Sequence, residues 1–272
     1  MAVRSLVVAL LAVAALTTPV AAQVATPAAK ATPEPEAAFA PLVWHWTAFV
    51  DPRGTPTPAA ATDRSTLQIG PDGRVALRAD CNRGFGRAVV GAGTIHFDGI
   101  ATTRMACGKT SQASDFLAAL DAATHWRYDG PDLLVLADDG SGLRFAPSLP
   151  GVVWQWQGTA MMNDTRVVPA DAAAYTLAFR GDTVAIRADC NRIAGRFTVE
   201  QSQIDITPTG IPTGVCGPGS LSDRFLRDLD DAGSFVFRAG RLYLALPADA
   251  GILEFAATLP APEATPVAGD EA

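Results

Sequence analysis

The 272-residue chain has three histidines, three tyrosines and, by direct count, two lysines, Lys30 and Lys109. An imidazole-based mechanism can therefore draw only on His45, His96 and His125. No GxSxG elbow, HExxH pair, P-loop or GxGxxG occurs, so acyl transfer, zinc proteolysis and nucleotide binding lack their starting residues. No CxxC is present, which removes the commonest redox and zinc spacings. Basic residues are also scarce, 21 Lys plus Arg against 28 Asp plus Glu. The net charge of −7 gives no global attraction for a phosphate backbone and argues against nucleic-acid partners. Hydrophobic residues make up 49% and charged residues 18%, which excludes a wholly disordered chain. No apolar run reaches about 18 residues, so no integral membrane span is expected.

What is present begins with Arg4, an apolar run from Leu6 to Leu16, and the small residues Val20-Ala21-Ala22. That pattern predicts a cleaved signal peptide over 1–22, with secretion across the inner membrane into the periplasm. Residues 23–40 are almost entirely Ala, Pro, Thr, Glu and Val, too poor in large apolar side chains to offset chain entropy, and are expected to be a disordered linker. A disordered tail of the same composition is expected over 260–272.

An internal repeat organises the remainder. At an offset of about 110 residues, Val43-Trp44-His45-Trp46 matches Val153-Trp154-Gln155-Trp156. Arg78-Ala79-Asp80-Cys81-Asn82-Arg83 returns unchanged as Arg187-Ala188-Asp189-Cys190-Asn191-Arg192. Two copies of one domain, 41–149 and 150–259, account for the length, joined at Pro147-Ser148-Leu149-Pro150-Gly151. Within each copy the hydrophobic period is two, as in Arg74-Val75-Ala76-Leu77-Arg78, and turn signals such as Pro71-Asp72-Gly73 separate the runs. One segment per copy breaks the alternation. Phe116 with Leu120, and Phe225 with Leu229, stand four apart, as on a short amphipathic helix capped by Ser111 or Ser114 and by Ser220 or Ser222. The expected fold is mostly β (α+β), two similar domains, each a curved antiparallel sheet or partial barrel with one short helix.

Cys81 to Cys107 and Cys190 to Cys216 are equally spaced. In an exported chain this favours one disulfide within each copy among the three possible pairings. The repeated turn makes Asp80, Asn82 and Arg83, with Asp189, Asn191 and Arg192, candidate binding residues. Arg104 joins them from the Thr-Arg-Met segment. The simpler reading has Asn82 and Asn191 bonding the local backbone of a tight turn while the charges stay solvated. Asp138-Asp139-Gly140-Ser141-Gly142 has some likeness to a calcium loop but lacks the later bidentate Glu and sits at a hairpin turn. The histidines match Gln155, Asp205 and Phe235 in the second copy, so no His mechanism is shared. No metal, cofactor or catalytic residue is expected. The paired tryptophans are expected in the core.

Trp44, the Asp-Cys-Asn-x3-Gly turn, Thr102-Thr103-Arg104-Met105-Ala106-Cys107 and the Phe-Leu helix together resemble the META domain family (HslJ-like). The second copy departs from the pattern at Ile211-Pro212-Thr213-Gly214-Val215-Cys216. The resemblance implies a small antiparallel β fold with one helix, found in bacterial envelope proteins linked to stress or drug tolerance, with no established catalysis. The resulting expectation is an exported, non-catalytic binding or envelope-stress module whose partner is an unknown envelope protein or small ligand. The alternatives are a carrier of a small apolar ligand in a β-barrel cavity and an unrecognised hydrolase.

Overall fold

The computed structural model describes residues 38–261. The expected signal peptide, the linker before Ala38 and the tail beyond Ala261 lie outside the described residues. The first copy comprises β1 (Trp44–Val50), β2 (Pro56–Pro58), β3 (Thr66–Ile69), β4 (Arg74–Ala79), β5 (Asn82–Val90), β6 (Ile95–Thr102), α1 (Ala113–Asp121), β7 (His125–Asp129), β8 (Asp132–Leu136) and β9 (Gly142–Pro147). The second repeats it as β10 (Val153–Met161), β11 (Arg166–Val167), β12 (Tyr175–Arg180), β13 (Thr183–Ala188), β14 (Asn191–Glu200), β15 (Gln203–Pro208), α2 (Ser222–Asp231), β16 (Ser234–Arg238), β17 (Arg241–Ala245) and β18 (Gly251–Thr258).

Alternation in the sequence becomes alternation in burial. Along β4, Val75, Leu77 and Ala79 are buried while Arg74, Ala76 and Arg78 are exposed, and β13 repeats that pattern. Adjacent strands pair antiparallel, in the order β6-β5-β4-β3-β1-β9-β8-β7 with β2 beside β1. A register shift between Trp46 and Ala48 lets β1 pair with β3 along its first half and with β2 along its second, and β10 does the same between Trp156 and Gly158. The second sheet closes into a barrel through β10–β18 pairing and one residue pair, Gln203 with Ser234, between β15 and β16. The first stays a half-barrel whose edges β6 and β7 meet only at an isolated bridge, Thr94 to His125.

The interiors are filled by side chains. Trp44, Trp46, Trp154 and Trp156 are all buried, and the helices cover the sheets with Phe116, Leu120, Phe225 and Leu229 fully enclosed. Phe116 lies 5.3 Å from Trp46, and Phe225 lies 5.1 Å from Trp156, between ring centroids. Each such burial stabilises the fold by roughly 1.5–3 kcal/mol.

Two local expectations need correction. The helix caps are Gln112 and Leu221, whose backbone angles (φ −104, ψ 18 and φ −99, ψ 14) lie away from the extended geometry typical of a side-chain cap. Ser111 and Ser220 act from one position earlier, accepting from the N–H of Ala113 and of Ser222. The linker, in turn, ends before residue 40. Phe39 is the one aromatic in it, and its ring stands edge-on to Trp126 at 5.0 Å. The Tyr128 hydroxyl accepts from the Ala40 N–H and donates to the Ala38 carbonyl. At the join between copies, Gly151 has φ +93 and a Cβ there would come within 2.5 Å of Val43, so the close approach requires glycine.

Candidate functional site

Pairing of Ala79 with Asn82, and of Ala188 with Asn191, leaves two residues in each hairpin turn. Asp80 and Asp189 take left-handed backbone angles, φ 56 and φ 59, a conformation that Asp tolerates better than most residues. The turn brings each first cysteine to its partner, and the disulfides are Cys81–Cys107 and Cys190–Cys216, as the spacing predicts.

The asparagines bond a distant loop in place of the expected local turn backbone. Asn82 Oδ1 accepts from the Met105 N–H (2.7 Å) and the Thr103 hydroxyl (2.9 Å), while its Nδ2 donates to Met105 O and Cys107 Sγ, both at 3.2 Å. Asn191 takes Gly214 in the same grip, at 2.9 Å from its N–H and 3.2 Å to its carbonyl, and also donates to Cys216 Sγ and Ser222 Oγ. A side chain with donor and acceptor on one amide plane can hold the N–H and the carbonyl of a single residue in this way. The correction has a simple cause. The residues in reach are those that the disulfide carries to the turn, 23 positions away in sequence.

Asp80 is buried, with its carboxylate 3.3 Å from Arg64 Nη1 and its N–H donating to Ser65 Oγ. Beside it lies a cleft of about 160 Å³ lined by Trp46, Ala60, Arg64, Ser65, Thr110 and Gln112. His45 pairs with Thr66 and Gln155 with Thr176, so Tyr175 occupies the place of Ser65 in the second copy. Its ring is 5.5 Å from Trp156 and its hydroxyl accepts from the Leu221 N–H. Sequence reasoning missed Arg64, Ser65 and Tyr175. Their one signal is their place at or just before the start of the strand that pairs with the tryptophan strand.

The remaining candidates do not join Asp80. Arg83, Arg104 and Arg192 are exposed; Arg83 stands opposite Arg78, and Arg192 opposite Arg187. Asp189 is half-buried, its carbonyl 3.5 Å from Arg187 Nε. His45 lies on β1, His96 on β6 and His125 on β7. Partial burial pulls His45 below its usual range. The bridges match His125 with Ser234 and not with Phe235. The calcium-like segment is a hairpin turn in which Asp139 accepts from the Ser141 N–H and hydroxyl, bonds that lower its carboxyl pKa. A cavity of about 660 Å³ opens beside Phe39, Ile69 and Trp126, and another of about 820 Å³ lies against the outer residues Val236, Tyr243 and Ile252. The first reaches the core residues Ile69, Ala88 and Trp126, whereas the second lies on the outer face of its barrel.

A family model described as the META domain matches residues 40–150 and again 152–258. The chain belongs to the META domain family, in two tandem copies. Its META copies are similar to two solved structures. One is an NMR structure of a protein from Burkholderia xenovorans, at 23% identity and TM-score 0.35, covering 45% of this chain and 97% of that one. The other is a crystal structure of a DUF4847 family protein from Bacteroides vulgatus, at 15% identity and TM-score 0.32, covering 40% and 93%. No curated protein matches. Both META copies keep the Asn–disulfide clamp; Tyr175 fills the counterpart of the cleft beside Asp80, and in the second copy a cavity of about 340 Å³ opens instead beside Asn191, Gly214 and Ser222.

Proposed function

We propose that this tandem META protein is an exported binding module of the bacterial envelope that acts by contact with an envelope partner and not by turnover, in a stress-related role. Export is supported by the N-terminal pattern at 1–22 and by the two disulfides, which persist in oxidising compartments. The observation that carries the contact reading is the division of labour in the repeated turn. In each copy the asparagine is committed to the disulfide loop and the aspartate to the turn, which leaves Arg83 and Arg192 exposed on the sheet's outer face.

The test is expression of the full chain in a bacterium with a photo-crosslinking residue replacing Arg83 or Arg192, and with exposed Asp230 as the control position. A mature form beginning near Gln23 in the envelope fraction, with adducts at 83 or 192 above those at 230, is the expected result. A cytoplasmic chain with reduced cysteines, or equal adducts at all three positions, contradicts the reading.

A further inference from the structure

The outer face of β4 and β5 carries cationic pairs that the fold itself disfavours. Arg74 faces Arg87, and Arg78 faces Arg83, with Ala76 opposite Phe85 between them. Like charges directly opposite on neighbouring strands repel, so two such rows in succession cost the fold stability. All four arginines are exposed, and Phe85, at their centre, is 68% exposed. On the same face Val89 is 71% exposed, and at its end Asn82 pins the loop that presents Arg104 and Met105, the latter 63% exposed. Acidic groups offset part of this charge. Asp72 pairs with Arg74, Asp98 stands opposite Arg87, and the Asp80 carboxylate turns to Arg64. Among the described residues Arg78, Arg83, Arg87 and Arg104 have no ion pair, and Arg78 donates to the Asp80 carbonyl.

We propose that this face of the first copy docks onto an anionic lipid surface, its guanidinium groups on headgroup phosphates and Phe85, Val89 and Met105 entering the headgroup boundary. The proposal deepens the contact reading and rests on it. Guanidinium matches phosphate oxygens bidentately, and isolated apolar tips among basic residues suit an interfacial mode of binding. Arg, Phe and Met are enriched at protein interfaces as well, but there the apolar residues gather into a contiguous core, and here arginines separate them. The second copy provides a built-in contrast. Ala194 replaces Phe85, Thr198 replaces Val89, and Thr183 stands opposite Arg196 where the first copy has an arginine pair; the second copy keeps only the Arg187–Arg192 pair, and its loop exposes Ile211 and Val215 in place of Met105.

The chain lacking residues 1–22 should co-sediment with phosphatidylcholine vesicles only when they contain phosphatidylglycerol, and less so as salt is added. Arg83→Gln with Arg87→Gln should weaken binding about tenfold or more and Phe85→Ser about threefold, with the far-ultraviolet circular dichroism unchanged. Equal binding to neutral vesicles, no binding to either, or variants that bind like the parent would overturn the proposal. Binding of soluble polyglutamate without binding of vesicles would also overturn it, and would assign the face to an acidic protein. Crosslinked envelope adducts at residue 83 in that case would leave the contact reading intact.

Discussion

Where the first copy has Ser65, a cleft opens beside Asp80; where the second has Tyr175, a ring fills the same place and holds the Leu221 N–H. Phe85 and Tyr128 of the first copy correspond to Ala194 and Phe237 of the second by the registers of their strands. Against these exchanges stand the clamp, the buried tryptophans and the helix phenylalanines, which are the same in both. The interior admits few alternatives, because a changed volume there leaves a cavity or forces strain, whereas the mouth and outer face can vary at low cost. What differs between the copies is therefore where their functions are expected to differ.

The largest expected effect is at the filled mouth. Tyr175→Ser removes a buried ring from Trp156 and leaves the Leu221 N–H without its acceptor, and should destabilise the protein by about 3–5 kcal/mol. Ser65→Tyr enters an existing cleft but takes the Ser65 hydroxyl from the Asp80 N–H, and should cost a smaller amount, about 1–3 kcal/mol. Thermal unfolding of both variants checks the contrast, and equal losses would break it.

The disulfides should show the opposite, a similarity. Both close loops with a sequence separation of 26, so Cys81→Ala with Cys107→Ala, and Cys190→Ala with Cys216→Ala, should each cost about 3–4 kcal/mol in the chain-entropy model. Denaturant unfolding that differs by more than about 1.5 kcal/mol between the two double variants would show that the loops contribute unequally beyond their length.

A smaller contrast lies at high pH. Burial pushes the Tyr128 hydroxyl up to about 12, partly opposed by the Ala40 N–H and by Arg241. The folded state thus favours the neutral phenol. Its contribution, about 2–3 kcal/mol, is complete below pH 10 and is lost as pH rises from 10 towards 12. Tyr128→Phe, which imitates the second copy's Phe237, should flatten the stability profile in that window; an unchanged profile would show that another group governs it.

Much of this fold can be read from the residues alone. Period-two alternation marks the long strands, and the Phe-Leu spacing marks both helices, because one buried face imposes its period on the chain. The edge strands β2 and β11 escape such reading, since Pro56–Pro58 is an unusual strand composition and Arg166–Val167 has only two residues. Barrel closure escapes too, because it turns on a single residue pair. The match of His125 to Phe235 fails by one position. Ile69 pairs with Val75 across a longer turn than the one between Arg180 and Thr183, so the offset drops from 110 to 109 there. At the candidate site, the motif identifies Asp80 and Asn82 but not Arg64 or Ser65, which reach Asp80 only through pairing of β3 with β4. The arginine rows are invisible until register sets β4 against β5.

The most direct test of the claim that a shared scaffold carries its contact face on the first copy is a paired substitution in one chain, read by sedimentation with phosphatidylglycerol-containing vesicles. Arg83→Gln with Arg87→Gln should reduce binding about tenfold or more, while the equivalent Arg192→Gln with Arg196→Gln should change it less than about twofold. Equal losses from the two pairs, or a larger loss from the second, would contradict the account.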